Sequence, residues 1–92
     1  MNELTGRVAV SRAGRDRGKA FVIIDVLDGA YALLVDGECR KASAPKKKKL
    51  MHVFVTPHRA DEIAQALSAG GKPLDSDFRK ALAALGYRNR QE

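Results

Sequence analysis

Gly6-Arg7-Val8-Ala9-Val10-Ser11-Arg12-Ala13-Gly14-Arg15-Asp16-Arg17-Gly18-Lys19-Ala20-Phe21-Val22-Ile23-Ile24-Asp25-Val26-Leu27-Asp28-Gly29 is the stretch on which the fold turns. Val8 and Val10 alternate with Arg7, Ala9 and Ser11 at the period of two that marks a half-buried strand over 7–11. The charged run Ala13 to Lys19 breaks this pattern. Its glycines, Gly14 and Gly18, stand four apart, where a turn needs positive φ or close backbone approach. Ala20 to Leu27 then resumes an extended pattern, with Phe21, Ile23 and Asp25 on one face and Val22, Ile24 and Val26 on the other. Both faces carry enough apolar residues to be at least partly covered.

Downstream, Asp28-Gly29 is a tight-turn signal that leads into a third strand at Tyr31 to Val35. Asp36-Gly37 repeats the signal and predicts a short strand near Glu38 to Lys41. After a polar crossing, Leu50 to Val55 supplies a fifth strand, with Leu50, His52 and Phe54 opposed to Met51, Val53 and Val55. Five short strands joined by tight turns favour a closed or half-closed barrel, because closure removes exposed strand edges. The expected fold is mainly β, an SH3-like five-stranded barrel followed by two short C-terminal helices. An OB-type barrel, which usually needs longer strands, ranks second.

The period changes at Thr56-Pro57, a capping residue followed by proline at a first helical position. Ala60, Ile63, Ala64 and Leu67 fall at i, i+3, i+4 and i+7, and Gly70-Gly71 ends this helix. A second helix is predicted from Asp75 or Ser76, with Phe78, Ala81, Leu82 and Leu85 on its apolar stripe and Gly86 at its end. Asp75 and Asp77 suit the positive end of its dipole. The expected division is a β module over 1–56 and a two-helix extension over 57–92.

Ninety-two residues are less than one typical domain length and leave little room for a large multi-step enzyme. Hydrophobic residues make up 45% of the chain, enough for a core. Lys and Arg number 17 against 11 Asp and Glu, a formal charge of +6 that points to a polyanionic partner. The excess is concentrated in residues 1–49, which hold 11 basic and 6 acidic side chains, whereas residues 50–92 hold 6 and 5. A single cysteine, Cys39, cannot make an internal disulfide, and with two histidines it is too little for a structural zinc site. Neither a secretory leader in Met1 to Val10 nor an apolar run of membrane length is read, so a cytoplasmic protein without a membrane partner is expected.

Arg12, Arg15, Arg17 and Lys19 place four cations in the nine residues from Ser11 to Lys19. Arginine forks match phosphate oxygens, lysine adds a point charge, and Gly14 and Gly18 let the backbone come close. The loop lacks the GxxxxGK[ST] spacing of a nucleotide-binding P-loop. Lys46, Lys47, Lys48 and Lys49 form a second cluster that Arg40 and Lys41 extend. Four adjacent lysines repel one another, so mobility until an anion binds is expected there. Phe21, Phe54 and Phe78 fall at core positions, which leaves Tyr31 as the aromatic candidate for base stacking and favours shape and backbone recognition. A Cys39–His52 pair would have to meet across the sheet to act as a nucleophile. Asp28 and Asp36 precede glycine and are explained by turns. No catalytic residue, metal, cofactor or small-molecule substrate is assigned.

Gly6-Arg7-Val8, the loop Gly14 to Lys19 and the apolar run Phe21 to Leu27 together resemble a KOW motif, the β-loop-β element of many ribosomal and transcription-elongation proteins. The likeness continues through Val22 to Asp28, Ala32 to Gly37 and Arg40-Lys41, where the chain is similar to large-subunit ribosomal proteins of the 14e type and to small bacterial KOW-domain RNA-binding proteins. It covers roughly residues 4 to 55. The resemblance implies an SH3-like barrel that binds RNA, with Arg12, Arg15, Arg17 and Lys19 as contact positions. The eukaryotic ribosomal members commonly carry long basic extensions, whereas residues 50–92 here are nearly neutral. The expected function is therefore non-catalytic binding of RNA, ribosomal RNA first, in a ribosomal or ribosome-associated protein with ribosomal proteins as neighbours. The alternative is a protein-interaction adaptor using the barrel or the helices, with Arg79, Lys80, Arg88 and Arg90 reaching a partner.

Overall fold

The β-branched residues of the first half and the alanines of the second divide as their propensities dictate. In the computed structural model, which describes residues 3–87, strands β1 (Arg7–Ser11), β2 (Ala20–Leu27), β3 (Tyr31–Val35), β4 (Lys46–Lys49) and β5 (Val53–Arg59) precede helices α1 (Asp61–Ser68) and α2 (Asp75–Ala84). The strands form one antiparallel sheet in the order β4-β3-β2-β1-β5. A 3₁₀ turn, Leu50–His52, joins β4 to β5. Arg88 and Arg90 lie outside the described residues.

Both faces of the sheet are buried, each against a different layer. Ala9, Phe21, Ile23, Ala32, Leu34 and Val53 form one core on one face of the sheet, its inner side. Val8, Ala20, Val22 and Val35 turn to the opposite face and pack with Ala60, Ile63, Phe78 and Leu82 from the helical half. Full burial of one such large side chain stabilises by about 1.5–3 kcal/mol. Strand β5 runs through positions 56 and 57, where the sequence pattern divides β module from helical extension, and the second core joins the two sides.

Three local expectations are corrected. Glu38 to Lys41 form no strand, because the Asp36 carboxylate accepts the backbone N–H groups of both Glu38 and Arg40 and holds this segment in a turn. The fourth strand is instead the lysine run, which pairs with β3 from Tyr31↔Lys49 to Leu34↔Lys46. Mutual repulsion is relieved by alternation, since neighbouring lysines point to opposite faces, and lysines on an edge strand also discourage pairing with other chains.

Second, Thr56-Pro57 does not start a helix. The Thr56 hydroxyl donates to the Val8 carbonyl and accepts from His58 N–H, which keeps β5 extended, and proline is tolerated on an edge strand. Helix α1 starts at Asp61, with Ala60 as its N-cap. Third, Val26 shares the face of Phe21 and Ile23. A bulge between Ile23 and Asp25 inserts one residue against β3 and flips the alternation, so that Val26 pairs with Ala32. The Asp28-Gly29 turn forms as expected, with Ala30 N–H donating to Leu27 O and both turn residues at positive φ. Helix α2 begins at Asp75, and Asp77 accepts a hydrogen bond from Leu74 N–H.

Candidate nucleic-acid interface

The loop between β1 and β2 is closed by its own backbone. Gly18 N–H donates to Ser11 O, Arg17 N–H to Gly14 O and Lys19 N–H to Asp16 O. Gly14 and Gly18 both have positive φ, the conformation their spacing predicts. This winding turns Arg12, Arg15 and Arg17 outward, all three exposed. Among the described residues none of their guanidinium groups enters a hydrogen bond or ion pair. Asp16 turns inward instead.

Asp16 Oδ2 lies 3.0 Å from Arg40 Nη2, with the carboxylate side chain 8% exposed and the arginine 33%. Lys19 Nζ is 3.7 Å from Cys39 Sγ. The loop between β3 and β4 is thereby docked onto the loop between β1 and β2, which places exposed Lys41 in the same loop cluster as Arg15 and Arg17. A third tie comes from β4. Lys48 pairs in register with Ala32 and so faces the inner side of the sheet, where its ammonium donates to Ser11 Oγ at 2.7 Å and to Ala13 O at 2.6 Å. Lys46, paired with Leu34, shares that inner side and is half-buried, while Lys47 and Lys49 are exposed on the other face.

The ten cations named from the sequence thus divide by role. Arg12, Arg15, Arg17, Lys41, Lys47 and Lys49 present charge to solvent, whereas Arg40 and Lys48 hold the loops together and Lys19 and Lys46 are half-buried. Removing the carboxylate that Arg40 meets has a measurable cost. Asp16→Asn is expected to lower stability by about 1–2 kcal/mol, less than for a fully buried pair because the arginine is partly solvated. Thermal unfolding followed by circular dichroism checks this.

Two aromatic residues exchange the roles the sequence suggests for them. Tyr31 is half-buried, and Lys47 Nζ sits 4.7 Å from its ring centroid, a cation–π contact that already covers one face. Phe54, expected in the core, is 57% exposed. Val53 and Val55 take the inward positions of β5, and Phe54 faces outward opposite Val10. The signal was present in the sequence: Phe54 shares its face with His52, and a polar neighbour two residues away marks a wet face. His52 itself is exposed in the 3₁₀ turn rather than in the strand expected from Leu50.

Elsewhere, a groove of about 610 Å³ runs between α1 and α2, floored by Ile63, Ala66, Ala81 and Leu85 and rimmed by charges of both signs, including Lys80 and Asp77. Among the described residues no three His, Cys, Asp or Glu side chains come together as a metal site, and no helix is long and apolar enough to cross a membrane. No model of a known protein family matches the sequence.

Proposed function

We propose that this chain is a non-catalytic RNA-binding module on an SH3-like barrel, cytoplasmic and ribosomal or ribosome-associated, whose partner is folded ribosomal RNA. The observation that carries the proposal is the loop between β1 and β2, where three exposed and unengaged arginines stand together and lysines from β4 and the preceding loop are tied in beside them. The barrel assignment draws support from the meander order of the strands and from the short 3₁₀ turn that joins the two edge strands, β4 and β5. Leu50 N–H donates to Ala30 O and Arg12 N–H to His52 O, so the first residue of the turn extends the β3–β4 ladder and its last the β1–β5 ladder.

Binding of this kind releases condensed counterions. With about four phosphates neutralised, the logarithm of affinity for a folded ribosomal RNA fragment should fall with the logarithm of salt at a slope of roughly −3 to −4. A slope near zero in a salt titration overturns the proposal. A second reading, a protein-interaction adaptor, is favoured by the apolar floor of the groove between the helices. Under that reading, substitutions in the basic loop leave the interaction intact.

A further inference from the structure

Phe54 is an anomaly for a chain of this size. A phenylalanine on an edge strand, 57% exposed, stabilises little where it stands and offers a flat apolar surface to solvent. Its surroundings identify what that surface fits. Val10 pairs with Phe54 across β1 and β5, and beyond this pair Arg12 N–H donates to His52 O at 2.8 Å. Arg12, exposed and one residue past the end of β1, continues this register as the diagonal neighbour of Phe54, a relation of about 7–8 Å with the Cβ atoms somewhat closer. An exposed apolar ring beside an exposed arginine offers the two ends of one nucleotide, base and phosphate, a surface each.

We propose that Phe54 is a stacking shelf for an unpaired base of the RNA, beside a phosphate held by Arg12. The proposal rests on the RNA-binding function above and narrows its substrate class, because the bases of a continuous duplex are already stacked on one another and present no free face. The target is therefore RNA with an exposed loop or bulge. The exposed arginines of the loop that leaves β1 at this end, Arg12, Arg15 and Arg17, favour a polyanion over an apolar peptide.

Two probes test it, an RNA hairpin with an unpaired loop and a blunt RNA duplex of equal nucleotide count. Phe54→Ala is expected to weaken hairpin binding about tenfold or more, with duplex binding and the salt slope unchanged. Because the chain has no tryptophan, Phe54→Trp installs a single indole at the site, which can be excited apart from the two tyrosines. Its emission should be quenched by the hairpin and not by the duplex. Equal losses on both probes, or no loss on either, overturn the shelf while leaving RNA binding in place. Failure of the wild-type chain to bind either probe in a salt-dependent manner overturns both proposals. Unchanged circular dichroism of the two variants shows that the fold is retained.

Discussion

Alanine at Arg12, Arg15 and Arg17 together is expected to weaken binding of folded ribosomal RNA about a hundredfold near 0.15 M salt. Each phosphate contact releases close to one counterion, so each removed arginine takes about 0.7 from the logarithm of affinity at that ionic strength and about 0.9 from the magnitude of the salt slope. Three removals should leave a slope of roughly −1, carried by Lys41, Lys47 and Lys49. The triple variant is informative because it spares the fold. All three side chains are exposed and engage no other described residue, and the loop is held by backbone hydrogen bonds and by Lys48, none of which depends on the arginines. Thermal unfolding should therefore match the wild type. Full RNA affinity in the triple variant would move the interface elsewhere, with the groove between the helices as the next surface to test.

Gly37→Ala is expected to have the largest effect on stability, a loss of about 3–5 kcal/mol. At φ +81°, residue 37 sits in the left-handed region, where an L side chain costs roughly 1–2 kcal/mol. Space is the greater obstacle. A Cβ built there would lie 2.2 Å from the Asp75 carbonyl oxygen, which belongs to the first turn of α2 and is not a flexible side chain that can swing aside. The contact is also anchored from the other side, by Arg79 donating to Gly37 O at 2.7 Å and by Asp75 Oδ1 accepting from Ala42 N–H at 2.7 Å. Accommodating a methyl group would push α2 outward and loosen Phe78 and Leu82 in the core they close. For a domain of this length, 1 kcal/mol corresponds to about 4–8 °C. A fall in melting temperature of more than 12 °C is thus the expected reading, and a change below 4 °C would show that the helix yields easily.

Much of the sheet was legible because its signals are local. The bounds of β1, β2 and β3 follow from alternation and from Asp28-Gly29, and the outward loop between β1 and β2 follows from glycine spacing. What escaped depends on partners distant in sequence. Lysines read as a mobile run become a strand because β3 offers an open edge and because Tyr31, Ser11 and Ala13 give two of the ammonium groups something to meet. Thr56-Pro57 carries a helix-start signature, yet Val8 on the neighbouring strand takes the threonine hydroxyl. In the candidate interface, residue types were visible and their roles were not. Nothing local distinguishes Arg40, spent on Asp16 twenty-four positions away, from exposed Arg17.

The two-sided burial of β1 also sets a schedule. Ribosomes deliver a chain from its N-terminus, and β1 finds β2 within a few residues. Its other edge waits for Val53 to Arg59, and the helical layer over its outer face is completed by Phe78 and Leu82. A nascent chain therefore carries an unfinished β1, with Val8 and Val22 exposed, until Phe78 and Leu82 have followed some fifty residues or more behind. The basic loop emerges long before the helices that complete this core, so anything that engages it early meets a protein still being made.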